Sequence, residues 1–127
     1  MNQLDWTRWP NFRPEEFRCK HTGNLVMQPD FLDVLQAIRS EYGQPMRVTS
    51  GYRHPSHPEE AKKIKPGEHT HGTCADVACE GEDAYRLLRI AIKHGITRIG
   101  VKQTGAGRFL HLGIGAPGLP NPSIWSY

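Results

Sequence analysis

Histidine and aspartate side chains lie close together in one stretch of the chain, where their types suit metal binding. The sequence has seven histidines in 127 residues, and four of them fall between residues 54 and 71. His69 precedes Gly72, which favours a turn, and Asp76 follows in a segment that alternates like a strand. Such a bend can bring an imidazole and a carboxylate to one point, although a loop histidine taken alone is more often a solvated polar residue.

A third metal ligand has to come from elsewhere in the chain, and His111 is the natural candidate. A catalytic zinc ion typically takes three protein ligands from histidine, aspartate or glutamate and leaves a fourth position to water. His111 lies in the apolar segment 109–112, whose hydrophobic side chains would hold its backbone rigidly. A histidine in such a strand is more often simply packed and hydrogen-bonded, and the HExxH signature of common zinc proteases is absent. Spacing alone therefore leaves both interpretations open.

Two segments have the periodicity of amphipathic helices that can support these groups. Apolar residues recur at helical spacing in residues 29–42, with Asp30 as the expected N-cap and Gly43 as the C-terminal stop. A second apolar stripe runs through residues 82–94 and ends at Gly95. The sequence therefore predicts two main helices.

Four short segments have the composition and alternation of β-strands. They are residues 46–50, 73–79, 96–101 and 109–114. Residues 54–71 combine Pro, His, Lys, Glu and Gly without apolar periodicity, which predicts a long exposed loop of functional importance. The pattern as a whole predicts an α+β fold in a single domain over residues 1–127, with the two helices packed on a small antiparallel sheet.

Composition argues against several classes of function. The formal net charge is only +3 and the Lys and Arg residues are scattered, so nucleic-acid binding is not expected. No apolar run is long enough for membrane insertion. The N-terminal segment lacks the basic and apolar regions of a secretion signal, which predicts synthesis in the cytoplasm without a signal peptide. The odd number of cysteines, which are Cys19, Cys74 and Cys79, predicts free thiols.

Three motifs in order along the chain resemble those of the zinc D-Ala-D-Ala carboxypeptidase family. The motifs are Ser50-Gly51-Tyr52-Arg53, His69-x-x-Gly72-x-Cys74-x-Asp76 and Arg108-Phe109-Leu110-His111-Leu112. They are similar to the SGYR, SxHxxGxAxD and FxH elements of that family. The resemblance runs from about residue 17 to the C-terminus and looks closest to the small, often phage-associated branch. It implies the hedgehog/DD-peptidase fold.

The resemblance also implies a role for each matching residue. It makes His69, Asp76 and His111 the ligands of one catalytic Zn2+ ion, and it makes Arg53 a group that binds substrate and steadies developing negative charge. These types suit the chemistry, because zinc polarises a carbonyl and acidifies water, while a guanidinium offsets charge on an oxyanion. The alternative for Arg53 is a surface salt bridge of little consequence.

The match fails at positions that bear on proton transfer. Related branches carry a carboxylate three residues before the last histidine ligand, where this chain has Arg108, and many relatives carry one two residues after it, where this chain has Gly113. The second motif also departs from the family at Gly67 and at Cys74, which we interpret as a small packed residue. The sequence therefore contains no evident general base.

Other acidic or basic side chains near the second motif are candidates for the missing base. Glu68 adjoins His69 and is the first substitute, His71 is the next, and Glu59 or Glu60 follow in the predicted loop. For each of them alone, a solvated side chain is the competing interpretation. We therefore take Arg53 and Glu68 as the expected catalytic residues.

Two functions from different classes follow. The first is a zinc-dependent peptidase that hydrolyses an amide bond in peptidoglycan peptide stems or cross-links, as a monomer acting on the bacterial cell wall in host lysis or as part of a virion. The second is a catalytically silent, zinc-containing module of the same fold that binds the cell wall, which Arg108 and Gly113 favour.

Overall fold

The computed structural model describes residues 4–127 and shows the predicted α+β fold. Its helices and strands are α1 (Pro29–Tyr42), α2 (Pro58–Ala61), α3 (Gly81–Lys93), β1 (Arg47–Ser50), β2 (Cys74–Ala78), β3 (Arg98–Lys102), β4 (Phe109–Gly113) and β5 (Ser123–Ser126). The prediction that the N-terminal segment contains no secretion signal includes residues 1–3, which lie outside the described residues. Within residues 4–127, no helix is both long enough and apolar enough to cross a membrane.

The strands of the described region form one sheet in the order β1-β2-β4-β3-β5. The pairs β1–β2, β2–β4 and β3–β4 are antiparallel, as the sequence predicted. The edge strand β5 runs parallel to β3, so the prediction of a purely antiparallel sheet is wrong at this edge. Only four residues form β5, directly after Pro122, and such a short segment beside proline gives little strand signal.

The strand register places the candidate ligands on one face of the sheet. Asp76 of β2 pairs with His111 of β4, and the next pair on the same face is Cys74 with Gly113. Alternate residues of a strand share a face, so all four positions face the same side. Side chains of the opposite face are buried, and they include Ala75, Val77, Ile99, Leu110 and Leu112.

Helices α1 and α3 contribute further residues to the hydrophobic core. Phe31, Leu35, Leu87 and Ala91 are among their buried residues, and they join the apolar face of the sheet in one cluster. The bounds of α1 agree with those predicted. The prediction that Asp30 is the N-cap of α1 is wrong. Pro29 fills the first helical position, so Gln28 is the N-cap and Asp30 lies within the first turn.

The segment predicted as one long exposed loop is partly helical and partly buried. It contains α2, where the ring of His57 accepts a hydrogen bond from the Glu59 amide at 3.1 Å, and a 3-10 helix over Glu68–His71. Glu60, Glu68 and His69 are 3–5 % exposed. The prediction of exposure is wrong for these residues because their polar atoms find partners inside the fold.

Gly72 connects the 3-10 helix to β2 and fixes the spacing between His69 and Asp76. Its φ is +69°, and a Cβ there would overlap the carbonyl oxygen of Val26 and lie 2.8 Å from the Cα of Met27. Left-handed backbone alone costs a non-glycine residue about 1–2 kcal/mol. We expect Gly72→Ala to lower the free energy of unfolding by more than that amount, because the overlap adds to the backbone strain.

Denaturant titration of Gly72→Ala beside Gly105→Ala measures this difference. Gly105 has the same φ of +69°, but a Cβ at that position would have no heavy atom within 4 Å, so its variant carries only the backbone strain. Equal destabilisation of the two variants would contradict the steric role of Gly72.

Candidate metal centre

The first candidate ligand, His69, is oriented by a backbone carbonyl. Its side chain is 6 % exposed, and its Nδ1 lies 2.7 Å from the carbonyl oxygen of Gly51. A carbonyl oxygen only accepts, so Nδ1 carries the hydrogen and donates. The other ring atom, Nε2, therefore holds a lone pair, and it lies 3.5 Å from Oδ2 of Asp76.

The ring of His111 lies between two carboxylates. Its Nε2 is 2.7 Å from Oε1 of Glu68, and its Nδ1 is 3.1 Å from Oδ1 of Asp76. A neutral imidazole has one hydrogen to donate, and the shorter contact assigns it to Nε2 and Glu68. In this form the Nδ1 lone pair faces Asp76.

Charges within this cluster act against the effect of burial. Burial alone would raise the pKa of Asp76, but when the rings of His111 and His69 are protonated and donate to its carboxylate, these hydrogen bonds outweigh burial and hold that pKa well below its usual value. Burial lowers the pKa of His111, yet hydrogen bonds to Asp76 and Glu68 leave it above the ordinary value. The ring of His111 is thus held between two buried carboxylates, and the one on Asp76 also faces His69.

The donor set fits zinc. Nε2 of His69 and Nδ1 of His111 each face the carboxylate of Asp76, and in their neutral forms both offer a lone pair there, so a cation at this point could bind all three groups. Two imidazoles and one carboxylate form a common set in catalytic zinc sites. Both rings also have their second nitrogen held by an oxygen, at Gly51 and at Glu68, as is usual for histidines that bind metals.

Cys74 is a further possible metal ligand on the same face of the sheet. Its Sγ belongs to a buried group with His69 and His111 whose ligand atoms lie within 4.8 Å of one another. The side chain is completely buried, in agreement with a small packed residue. Burial, reinforced by the charges of Glu68 and Asp76, holds the pKa of this thiol well above its usual value. Cys19, Cys74 and Cys79 are all free thiols, as predicted.

Arg53 lies beside the candidate ligands. Its guanidinium donates to Oγ of Ser50 at 3.2 Å and to Oε2 of Glu60 at 3.2 Å, and Nη2 lies 3.6 Å from Oδ2 of Asp76. The Arg53 side chain is 20 % exposed, whereas that of Glu60 is 1 % exposed. These contacts are those of a fixed and partly buried guanidinium, and not those of a surface salt bridge.

Glu68 also reaches the centre, but from the far side of the His111 ring. Besides Nε2 of His111, its carboxylate accepts from Nε of Arg98 at 3.0 Å and from the amide of Gly115 at 2.8 Å. Burial alone would raise the pKa of Glu68. Its hydrogen bonds, of which the one from His111 has the largest effect, bring that pKa below the ordinary value. The imidazole ring therefore stands between Glu68 and Asp76.

The remaining candidates for a base have other partners or positions. Glu60 is buried and accepts from Arg53, from Lys63 and from the amide of Gly67. Glu59 is bonded to Lys62 at the exposed rim of the site. His71 is not among the described residues that line the adjoining cleft.

A cleft of about 610 Å³ opens in front of the candidate ligands. Its lining includes three aromatic residues and four basic ones, which are Phe109, Trp125, Tyr127, Arg53, Lys63, Lys65 and Arg98. Trp125, Tyr127 and Arg98 were not among the site residues predicted from the sequence. They reach the site through the strand pairing of β3 and β5, and these aromatic and basic types form no motif that would have shown this.

An α+β fold with a buried group of side chains that could hold a metal ion, next to an open cleft, fits a metal-dependent hydrolase. The family model described as Peptidase M15 matches residues 10–113. The chain therefore belongs to this family of zinc-dependent metallopeptidases, as its motifs predicted. A comparison with curated proteins gave no match. The matched region holds His69, Asp76 and His111, whereas Trp125 of β5 and Tyr127 lie beyond it.

Proposed function

We propose that this protein is a zinc peptidase that hydrolyses an amide bond in the peptide stems or cross-links of bacterial peptidoglycan. A phage-borne lysin of the hedgehog/DD-peptidase type is the specific form we favour, because the three motifs resemble that branch. His69, Asp76 and His111 are the proposed ligands. The observation that supports the proposal best is the meeting of their lone-pair atoms beside Arg53 at the cleft.

Each group has a separate task in this proposal. When bound, zinc would supply a Lewis acid that polarises the scissile carbonyl and lowers the pKa of water toward neutrality, so that a nucleophile is available near neutral pH. Arg53 offsets the negative charge that develops on the carbonyl oxygen, and the buried carboxylate of Glu60 holds its guanidinium in place. The aromatic residues of the cleft give the peptide apolar surface, and Lys65 suits the carboxylates of cell-wall peptides.

A silent cell-wall-binding module is the second candidate, and the position of Glu68 favours it. This carboxylate was expected to accept a proton, but its contacts hold it behind the ring of His111. The two positions at which relatives carry a carboxylate give no substitute. Arg108 donates to the carbonyl of Gly105 at 2.9 Å, and Gly113 has no side chain.

Digestion of purified peptidoglycan with the zinc-loaded protein tests both candidates. We expect new amines in solution, and mass spectrometry of the released fragments identifies the bond that is cut. Protein treated with a chelator and the His69→Ala variant are the controls, and both should release nothing. Equal release by native and control proteins would refute a zinc peptidase, while binding to the cell wall without new amines would support the silent module.

A further inference from the structure

We propose that Glu68 is a positioning residue for the metal centre, which fixes the ring of His111 through Nε2 so that Nδ1 faces Asp76. This inference rests on the proposed zinc site and deepens it. It assigns Glu68 to the histidine ligand, whereas the sequence predicted that this carboxylate is the general base.

The contact between Glu68 and His111 is short and shielded from water. Oε1 of Glu68 lies 2.7 Å from Nε2 of His111, and the two side chains are 1 % and 4 % exposed. A carboxylate that accepts from the second nitrogen of a metal-binding histidine fixes its tautomer and makes the ligand atom a better donor. The ring has little freedom to turn, since Asp76 contacts its other nitrogen and the tilted ring of Trp125 packs against it at 4.9 Å between centroids.

Glu68 itself is held from two further directions. Arg98 donates to Oε1 at 3.0 Å, and the backbone amide of Gly115 donates to Oε2 at 2.8 Å. The guanidinium of Arg98 lies over the ring of Trp125 at 4.9 Å and also donates to the carbonyl of Pro120. The carboxylate is therefore held toward His111 by Arg98 of β3 and by the backbone amide of Gly115, which follows β4.

Gly113 provides the space that this arrangement needs. It follows His111 by two residues on the same face of β4, and a Cβ built on it would overlap the carboxylate of Glu68. Any side chain at position 113 is therefore incompatible with the observed place of Glu68. The two positions form a coupled pair: one supplies the carboxylate from the 3-10 helix, and the other leaves room for it.

A double-mutant cycle on Glu68 and Gly113 tests the proposal. The variants are Glu68→Ala, Gly113→Ala and the double variant, with Glu82→Ala as a control because that glutamate is exposed at the start of α3. The dissociation constant for zinc is measured by competition with a chromophoric chelator. We expect Glu68→Ala to raise it about 10–100-fold, the usual effect of losing the partner of a ligand.

The expected pattern is strongly non-additive. Gly113→Ala alone should weaken zinc binding because it displaces Glu68, whereas in the Glu68→Ala background it should cost nothing further. Glu68→Gln keeps the shape and one acceptor oxygen, so it should fall between wild type and Glu68→Ala even if the alanine variant folds poorly. Nitrogen NMR of the histidines should show hydrogen on Nε2 of His111 in wild type and a change of that signal in Glu68→Ala.

The results separate this inference from the proposed function. If the wild type binds zinc and hydrolyses its substrate while Glu68→Ala and Glu68→Gln bind zinc equally well, the positioning role is wrong and the peptidase stands. Additive effects of the two alanine substitutions would also refute it. If the wild type binds no zinc, the proposed function and the inference both fail.

Discussion

The Asp76→Asn variant is expected to purify without zinc and to be inactive. Oδ1 of Asp76 lies 3.1 Å from Nδ1 of His111, and Oδ2 lies 3.5 Å from Nε2 of His69, so its carboxylate faces both candidate ring atoms. Asparagine keeps the shape but replaces a charged oxygen with an amide nitrogen that has no lone pair to offer. The loss in zinc affinity should exceed the roughly 10–100-fold that removal of a ligand's partner costs.

Cys74→Ala is the matched control, because Cys74 is the competing donor in the same buried group. His69, Asp76 and His111 already supply the three protein ligands of a catalytic zinc site, whose fourth position is left to water. We therefore expect Cys74→Ala to keep stoichiometric zinc and wild-type activity. Metal content is measured by plasma mass spectrometry. Loss of zinc from Cys74→Ala with retention by Asp76→Asn would replace Asp76 by Cys74 in the ligand set.

The helices and the central strands could be predicted because their signals are local. The bounds of α1 follow from its apolar repeat and from Gly43, which ends the helix with a φ of +72°. The strand that carries Asp76 lies in a segment whose residue types alternate, and the strand that carries His111 lies in an apolar segment. The parallel strand β5 gave no such signal, since Ile124 is 69 % exposed and its pairing with β3 depends on residues far away in the sequence.

The candidate ligands could be found from motifs, but the place of Glu68 could not. Its three partners, His111, Arg98 and Gly115, lie 43, 30 and 47 residues away in sequence. The side chain can reach them because Gly113 has no Cβ, which would overlap the carboxylate of Glu68. Adjacency to His69 therefore suggested a catalytic carboxylate, while the three-dimensional contacts favour a positioning one.

Replacing Arg53 should slow hydrolysis while leaving the metal in place. The guanidinium lies 3.6 Å from Asp76 and faces the cleft, where it can stabilise charge on the substrate carbonyl. Loss of one such donor typically lowers kcat by about 10²–10³-fold. We expect this reduction in Arg53→Ala, with zinc content unchanged. Arg53→Lys should recover only part of the rate, because an ammonium group cannot reach Ser50, Glu60 and Asp76 together.

Arg8→Ala tests whether any arginine in an ion pair would give the same result. Arg8 pairs with Asp33 at 2.9 Å, but both side chains are about half exposed, and such pairs contribute only about 0–1 kcal/mol. This variant should keep the wild-type kcat. Steady-state kinetics on a soluble cell-wall peptide compares the two substitutions directly. Arg53 pairs with the buried Glu60, whereas Arg8 pairs with no buried carboxylate in the described region. Equal rates for the two variants would mean that Arg53 is only a structural ion pair. The oxyanion would then lack its proposed partner.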